Sequence, residues 1–180
     1  SAVTLKMSML KLSNTIPPHE GDTILYAGEA LENATSAMIM IHGRGATADS
    51  MRSLADVIPV KNLCYIIPQA SGFVWYPYRF IEAREHNEPG LSSALRLIGS
   101  IHEALNGMGI PNESIYLLGF SQGACLVADY AARYPDRFGG VFILSGGLIG
   151  ERIEQETYRG DLNKTPVFLG CSDTDFHIPE

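Results

Sequence analysis

Short apolar runs rich in β-branched residues alternate along this sequence with stretches whose apolar residues recur at helical spacing. Such an alternation predicts a largely parallel sheet with helices packed on both faces. Most of the runs are continuously apolar, as expected for strands that are covered on both sides. The six predicted strands span residues 23–27, 37–41, 63–67, 115–118, 141–144 and 166–169.

Helical periodicity lies between these runs. Apolar residues recur every three or four positions over residues 51–58 and, for longer, over residues 91–105. A third predicted helix follows Ser121, carries Asp129 and Arg133 as an i,i+4 pair, and ends before Pro135. A chain of 180 residues is the usual size of one domain, so residues 1–180 are predicted to form a single α/β domain.

Composition narrows the class of protein. Hydrophobic residues make up 46% of the chain and charged residues 18%, which is typical of a globular protein, and no apolar stretch is long enough to span a membrane. A net charge of −7 without a basic run argues against nucleic-acid and acidic-membrane partners. Cys64, Cys125 and Cys171 lack the pairing of a disulfide framework, so we expect three reduced core residues in a cytoplasmic protein.

The segment 119–123, Gly-Phe-Ser-Gln-Gly, has the pattern of a nucleophile elbow. It follows a predicted buried strand and precedes a predicted helix, which is the setting that such a turn requires. Gly119 and Gly123 remove side chains where strand and helix meet, so that Ser121 can project above the sheet as a nucleophile. The alternative is a glycine-rich turn whose serine only caps the helix.

Acyl transfer also requires N–H groups that point at the developing oxyanion. One is expected from Gln122, directly after the nucleophile, and the other from Arg44, because segment 42–45 (His-Gly-Arg-Gly) follows an earlier strand. His42 begins this loop and is predicted to hold it by a hydrogen bond rather than to act as the catalytic base.

A carboxylate is expected after the last predicted strand, because the order serine, acid, histidine is typical of this kind of site. Asp175 is preferred over Asp173 as the residue that orients the histidine. An Asp-rich turn that caps itself is one alternative. A metal site formed by Asp173, Asp175 and His177 is another, but it lacks further ligands, so we expect neither a metal nor a cofactor.

Three segments together resemble the phospholipase/carboxylesterase family, which includes the acyl-protein thioesterases: residues 42–45, 119–123 and 173–179. The resemblance implies an α/β-hydrolase fold without a large cap. It also implies a serine carboxylesterase or thioesterase that acts on a small-molecule ester or thioester, with Asp175 as the acid.

Two other segments bear on the substrate. Residues 75–80 are similar to those of bacterial esterases of the family, and Trp75 and Tyr76 either line an acyl or aryl pocket or belong to an aromatic cluster folded under a loop. Residues 145–148 are small where the thioesterases carry a large aromatic residue. This difference favours small acyl or aryl esters over long lipid chains.

The catalytic histidine is not evident in this sequence. Family members continue past the acid with a helix, a strand and a histidine-bearing loop, whereas this sequence ends at Glu180. His19, His86 and His102 are expected far from Ser121, and His177 is not the residue that the resemblance assigns. We therefore expect the domain to be C-terminally incomplete, without its last strand and helix, and the histidine to lie beyond residue 180. The alternative is a non-catalytic hydrolase-like binding module. The sequence leaves open the natural acyl and leaving groups and whether the protein forms a homodimer.

Overall fold

The computed structural model describes residues 9–172. Within this range the chain forms a six-stranded sheet in the order β1-β3-β2-β4-β5-β6, in which only the β1–β3 pair is antiparallel. The mostly parallel sheet predicted from the sequence is confirmed, and every strand lies within two residues of its predicted bounds. The strands are β1 (Ile24–Gly28), β2 (Ser36–Ile41), β3 (Leu63–Pro68), β4 (Ile115–Phe120), β5 (Gly140–Leu144) and β6 (Val167–Gly170).

Three α-helices connect the parallel strands in the described part of the chain: α1 (Ala48–Val57), α2 (Gly90–Gly107) and α3 (Gln122–Arg133). They match the three helical patterns in the sequence. Thr47 caps α1, because its side chain accepts a hydrogen bond from the backbone N–H of Ser50. Among the described residues no helix combines the length and the apolar character that a membrane span requires.

The order of the strands explains why the helices cover both faces. The chain passes from β2 through α1 to β3 on one side, and then through α2 and α3 in the opposite direction along the sheet. Right-handed crossovers in opposite directions place their helices on opposite faces. The apolar residues accordingly form two clusters, one that includes α1 and a larger one that includes α2 and α3.

The end of the described chain is more exposed than its apolar residues alone would suggest. β6 forms an edge of the sheet, and Phe168 and Leu169 are 55% and 68% exposed, although their apolar run predicted a covered strand. Cys171 is exposed as well, whereas Cys64 and Cys125 are buried. The expectation that all three cysteines belong to the core is therefore wrong for Cys171, because it follows an edge strand.

The carboxyl ends of the parallel strands define one edge of the sheet. Residues 42–45 follow β2, Ser121 follows β4 and Ser145 follows β5, and these three strands are neighbours. Active sites of open α/β sheets form outside these ends. The topology thus brings the predicted nucleophile and the predicted oxyanion loop to the same place.

Candidate active site

Ser121 occupies a strained turn between β4 and α3. Its backbone has φ 53° and ψ −117°, a conformation that residues with a side chain rarely adopt. The N–H of Ser121 still donates to the carbonyl of Leu144 at 2.8 Å, so the turn is fixed to the neighbouring strand. Strain that the surrounding structure maintains at a partly buried serine is a mark of a functional site.

Two glycines make this turn possible. A Cβ atom at Gly119 would overlap the backbone of Gly123, and a Cβ atom at Gly123 would overlap the carbonyl oxygen of Ile41. The start of α3 therefore packs directly against the ends of β4 and β2. Any larger residue at these two positions would push the helix, and Ser121 with it, away from the sheet.

The loop after β2 lies beside the nucleophile. A Cβ atom at Gly43 would be 3.3 Å from both the Cβ of Ser121 and the carbonyl oxygen of Phe120. The next residue is Arg44, whose backbone N–H has no acceptor among the described residues. Gln122 is the first residue of α3, where a backbone N–H has no acceptor within its own helix. The two residues predicted to supply the oxyanion donors are thus brought next to Ser121.

The side chains of these two residues hold one loop, residues 75–78. Oε1 of Gln122 accepts from the N–H of Trp75 at 2.8 Å, and its Nε2 donates to the carbonyl of Tyr76 at 2.7 Å. Arg44 donates from Nη1 to the carbonyl of Pro77 at 2.9 Å and from Nη2 to the carbonyl of Tyr78 at 2.7 Å. Sequence reasoning missed these contacts, because it considered only the backbone of Arg44 and Gln122.

A cavity of about 680 Å³ opens beside Ser121. Its volume lies within the range of small-molecule sites. Aromatic residues of the 75–80 segment form part of the wall, and Tyr76 is among them. The lining residues are Arg44, Tyr76, Pro77, Tyr78, Arg79, Phe80, Glu82, Ser121, Gln122, Cys125 and Ser145.

Trp75, the other residue predicted to line a pocket, lies behind this wall. It is 1% exposed and does not line the cavity. Its Nε1 donates to the carbonyl of His42 at 2.9 Å, and its ring lies 5.0 Å from those of His42 and His19. Because its indole N–H is hydrogen-bonded inside the core, Trp75 anchors the 75–78 loop to the protein interior. Of the two alternatives given for these residues, the buried aromatic cluster fits Trp75. Tyr76, in contrast, is among the residues that line the cavity.

Two buried histidines brace the loops around the site. His42 is fully buried, its Nδ1 lies 2.7 Å from the carbonyl of Gly43, and its Nε2 accepts from the N–H of Ala70 at 3.0 Å. His19 has a similar arrangement, with Nε2 2.8 Å from the carbonyl of Trp75 and Nδ1 accepting from Ser71 N–H. Burial lowers the pKa of both histidines. His42 therefore has the structural role expected from the sequence.

None of the histidines in the described residues lines the cavity that contains Ser121. His102 is engaged by Tyr130 and Asn112 on the α2 side of the sheet, and His86 lies 3.8 Å from Glu82. The predicted acid Asp175 lies outside the described residues, as do Asp173 and His177. The described residues thus include the predicted nucleophile and the predicted oxyanion donors but not the predicted acid.

Cys125 lies one turn after Ser121 in α3 and lines the same cavity. Burial raises the pKa of its thiol. Since the thiolate is the nucleophilic form, a thiol with a raised pKa is poorly reactive near neutral pH. Ser121, at the turn itself, is the better candidate.

A buried carboxylate on α3 joins segments that are distant along the chain. Asp129 is fully buried and lies 3.1 Å from Arg84 Nη1 and 2.7 Å from Arg133 Nε. The hydroxyl of Tyr158 donates to it at 2.7 Å, and burial raises the pKa of this hydroxyl to about 12. Arg84 also donates to the carbonyl of Ile149. The sequence predicted only the Asp129–Arg133 pair, because the other partners are distant along the chain.

Comparison with known proteins identifies relatives of this chain. Acyl-protein thioesterase 1 of Saccharomyces cerevisiae is 38% identical, over 83% of this chain and 74% of that protein. The same-named protein of Schizosaccharomyces pombe is 31% identical, over 63% of this chain and 57% of that protein. The chain thus spans between about half and three quarters of the length of these relatives.

Solved structures show the same architecture. A phospholipase/carboxylesterase from Dyadobacter fermentans is 39% identical, with a TM-score of 0.86 over 92% of this chain and 79% of that one. The carboxylesterase of Bacillus cereus is only 16% identical but shares the α/β-hydrolase fold, with a TM-score of 0.63. The model of the phospholipase/carboxylesterase family matches residues 27–180. This chain therefore belongs to the phospholipase/carboxylesterase family of α/β-hydrolases.

Proposed function

We propose that this protein is a serine carboxylesterase or thioesterase that hydrolyses small acyl or aryl esters through an acyl-enzyme, with Ser121 as the nucleophile. The observation that carries the proposal is the strained conformation of Ser121 next to the backbone N–H groups of Arg44 and Gln122. A serine that only capped a helix would not require a positive φ, and its side chain makes no capping hydrogen bond to α3.

The proposed reaction has two steps, acylation of Ser121 and hydrolysis of the acyl-enzyme. Ser121 Oγ attacks the carbonyl carbon while a histidine accepts its proton, and the N–H groups of Arg44 and Gln122 stabilise the oxyanion. The oxyanion collapses, the bond to the leaving group breaks, and the histidine returns the proton to the departing oxygen or sulfur. Water then attacks the acyl-enzyme in the same way and releases the carboxylic acid and Ser121.

A general base is necessary, because the serine hydroxyl is a weak nucleophile without one. We propose that this base is a histidine from outside the described residues and that Asp175 orients it. The histidines that the structure describes support this assignment, since none of them lines the cavity that contains Ser121.

The cavity favours small substrates. Tyr78 and Phe80 are aromatic residues of the cavity wall, with the buried Tyr76 beside them, and aromatic side chains suit a short acyl chain or an aryl group. Thioesters are included because the matched yeast relatives are acyl-protein thioesterases. The mechanism needs no metal or cofactor. A cytoplasmic location is part of the proposal, and the acidic composition supports it.

Hydrolysis of 4-nitrophenyl butyrate by the 180-residue chain and its Ser121→Ala variant tests the proposal. A fluorophosphonate probe, followed by intact-mass measurement, reports the nucleophile independently of turnover. Ser53→Ala is the matched control, because Ser53 is exposed on α1 and its hydroxyl only donates to its own helix. Loss of the nucleophile should reduce kcat by a factor on the order of 10⁶.

The outcomes separate the two hypotheses. Turnover and labelling that vanish in Ser121→Ala but persist in Ser53→Ala support the esterase, and His177→Ala then tests whether His177 is the base. If neither turnover nor labelling occurs, the assay is repeated with the full-length natural protein. Equal behaviour of both Ser121 forms in that protein would instead support a binding module.

A further inference from the structure

The cavity beside Ser121 contains more positive than negative charge. Two basic residues line it, Arg44 and Arg79, and one acidic residue, Glu82. Within residues 9–172 neither arginine forms an ion pair. Arg44 donates only to neutral backbone carbonyls, so its charge is not compensated.

Arg79 is the more unusual of the two arginines. Its backbone is fixed, because its carbonyl accepts hydrogen bonds from Asn87 Nδ2 and from the N–H of Glu82, each at 3.1 Å. Its exposed guanidinium, in contrast, makes no hydrogen bond to the described residues. The Arg79 side chain therefore stabilises no described part of the fold, although its backbone is held at a defined place on the cavity wall.

Glu82 does not neutralise this arginine. Its carboxylate lies 3.8 Å from Nδ1 of His86, and no ion pair joins it to either arginine of the cavity. In a chain with a net charge of −7, exposed carboxylates are plentiful, yet the described structure brings none within ion-pair distance of Arg79. A planar guanidinium is suited to bind a carboxylate through paired N–H···O bonds.

We propose that the substrate is an ester or thioester with a second, free carboxylate, which Arg79 binds while Ser121 attacks the ester carbonyl. Arg44 adds to the positive potential but already holds the 75–78 loop. Arg79 is thus a specificity-determining residue. The inference rests on the proposed function, because it names the substrate class of the same site.

Two matched ester pairs test this proposal. The first pair is 4-nitrophenyl hydrogen glutarate and 4-nitrophenyl valerate, which differ by a carboxylate on the acyl side. The second pair is 4-carboxyphenyl butyrate and phenyl butyrate, which differ on the leaving-group side. Wild-type protein should have the higher kcat/KM for the anionic member of at least one pair. Arg79→Gln should reduce that preference by roughly five- to tenfold, and added salt should weaken it.

Arg96→Gln is the matched control. Arg96 is an exposed arginine on α2 that lines a different cavity, so its replacement changes the net charge equally without altering the site. The preference should survive in this variant. No preference in either pair, or a preference that Arg79→Gln leaves unchanged, overturns the inference. Hydrolysis of the neutral esters that still depends on Ser121 would then leave the proposed function standing.

Binding without turnover gives a second readout. Glutaryl-4-nitroanilide and valeryl-4-nitroanilide are titrated calorimetrically into the Ser121→Ala variant and into the Ser121→Ala, Arg79→Gln double variant. Tighter binding of the glutaryl compound, lost in the double variant, supports the inference even where hydrolysis is undetectable. Equal binding of the two compounds overturns the inference for a carboxylate on the acyl side, and the second ester pair then decides it for the leaving-group side.

Discussion

The side-chain oxygen of Gln122 accepts a hydrogen bond from the backbone N–H of Trp75 at 2.8 Å. The amide nitrogen of the same side chain donates to the carbonyl of Tyr76 at 2.7 Å. Gln122 follows Ser121 directly and begins α3. The loop that walls the cavity is therefore attached to the residue whose backbone is proposed to stabilise the oxyanion, so a shift of either one should affect the other.

Replacement of Gln122 by alanine should destabilise the protein. The variant leaves the buried N–H of Trp75 and carbonyl of Tyr76 without partners, and each unsatisfied group costs about 1–3 kcal/mol. We expect the free energy of unfolding to fall by about 2–4 kcal/mol in urea titrations. Gln155→Ala, at an exposed glutamine, should change it by less than about 0.5 kcal/mol. Equal stability of the two variants would show that the hydrogen bonds of the Gln122 side chain to Trp75 and Tyr76 do not stabilise the protein.

Gly123→Ala should disrupt the turn at Ser121. A Cβ atom at Gly123 would overlap the carbonyl oxygen of Ile41, and backbone at a strand end cannot move aside easily. We expect a loss of about 3 kcal/mol or more in the free energy of unfolding, together with loss of esterase activity. Gly107→Ala is the control, because nothing lies within 4 Å of its added atom. That change in α2 should be neutral or stabilising by up to about 1 kcal/mol. A folded, fully active Gly123→Ala variant would refute the packing argument.

The strands, the helices and the turn at Ser121 could be predicted because their signals are local. A continuous apolar run, a helical period and a glycine on each side of Ser121 constrain residues that are close in sequence. The position of Arg44 and Gln122 beside Ser121 could be predicted by the same logic, since Arg44 follows the end of β2 and Gln122 directly follows Ser121. Each of these inferences required only the order of the elements along the chain.

Contacts between distant segments could not be predicted in this way. The hydrogen bonds from Gln122 to Trp75 and Tyr76 join residues more than 40 positions apart. Whether Trp75 or Tyr76 faces the cavity depends on how the loop folds back over His42, and both residues are aromatic. An apolar run also does not say whether a strand lies in the middle of the sheet or at its edge, so the apolar residues of β6 by themselves did not predict its exposure.

The buried carboxylate of Asp129 provides a third prediction. Asp129→Asn removes the negative charge that lies against Arg84 and Arg133, both of which are mostly buried. Loss of one partner of a buried ion pair typically costs about 3–5 kcal/mol. We expect a loss in this range by urea unfolding. Asp49→Asn breaks an exposed pair with Arg52 and should cost at most about 1 kcal/mol. A similar, small loss in both variants would show that the Asp129 cluster does not stabilise the fold.

Because two histidines are buried, we expect the free energy of unfolding to depend on pH. Burial lowers the pKa of His19 and His42 below 6.5 in the folded state, so the unfolded chain binds more protons as the pH falls through 6.5. The free energy of unfolding should therefore decrease between pH 7.5 and pH 5.5, by at most about 1.4 kcal/mol per pH unit for each histidine. Protonation would also set Nε2–H of His42 against the N–H of Ala70, which already donates to that nitrogen.

His42→Gln separates this linkage from other effects of pH. The variant is expected to be less stable than the wild type at pH 7.5, because the hydrogen bonds to Gly43 and Ala70 are lost or weakened. Its stability should nevertheless fall less steeply between pH 6.5 and pH 5.5, since only His19 still contributes. Urea titrations of both proteins at half-unit intervals of pH measure the two slopes. Parallel slopes, or a wild-type protein that becomes more stable on acidification, would mean that His42 does not remain neutral in the folded state.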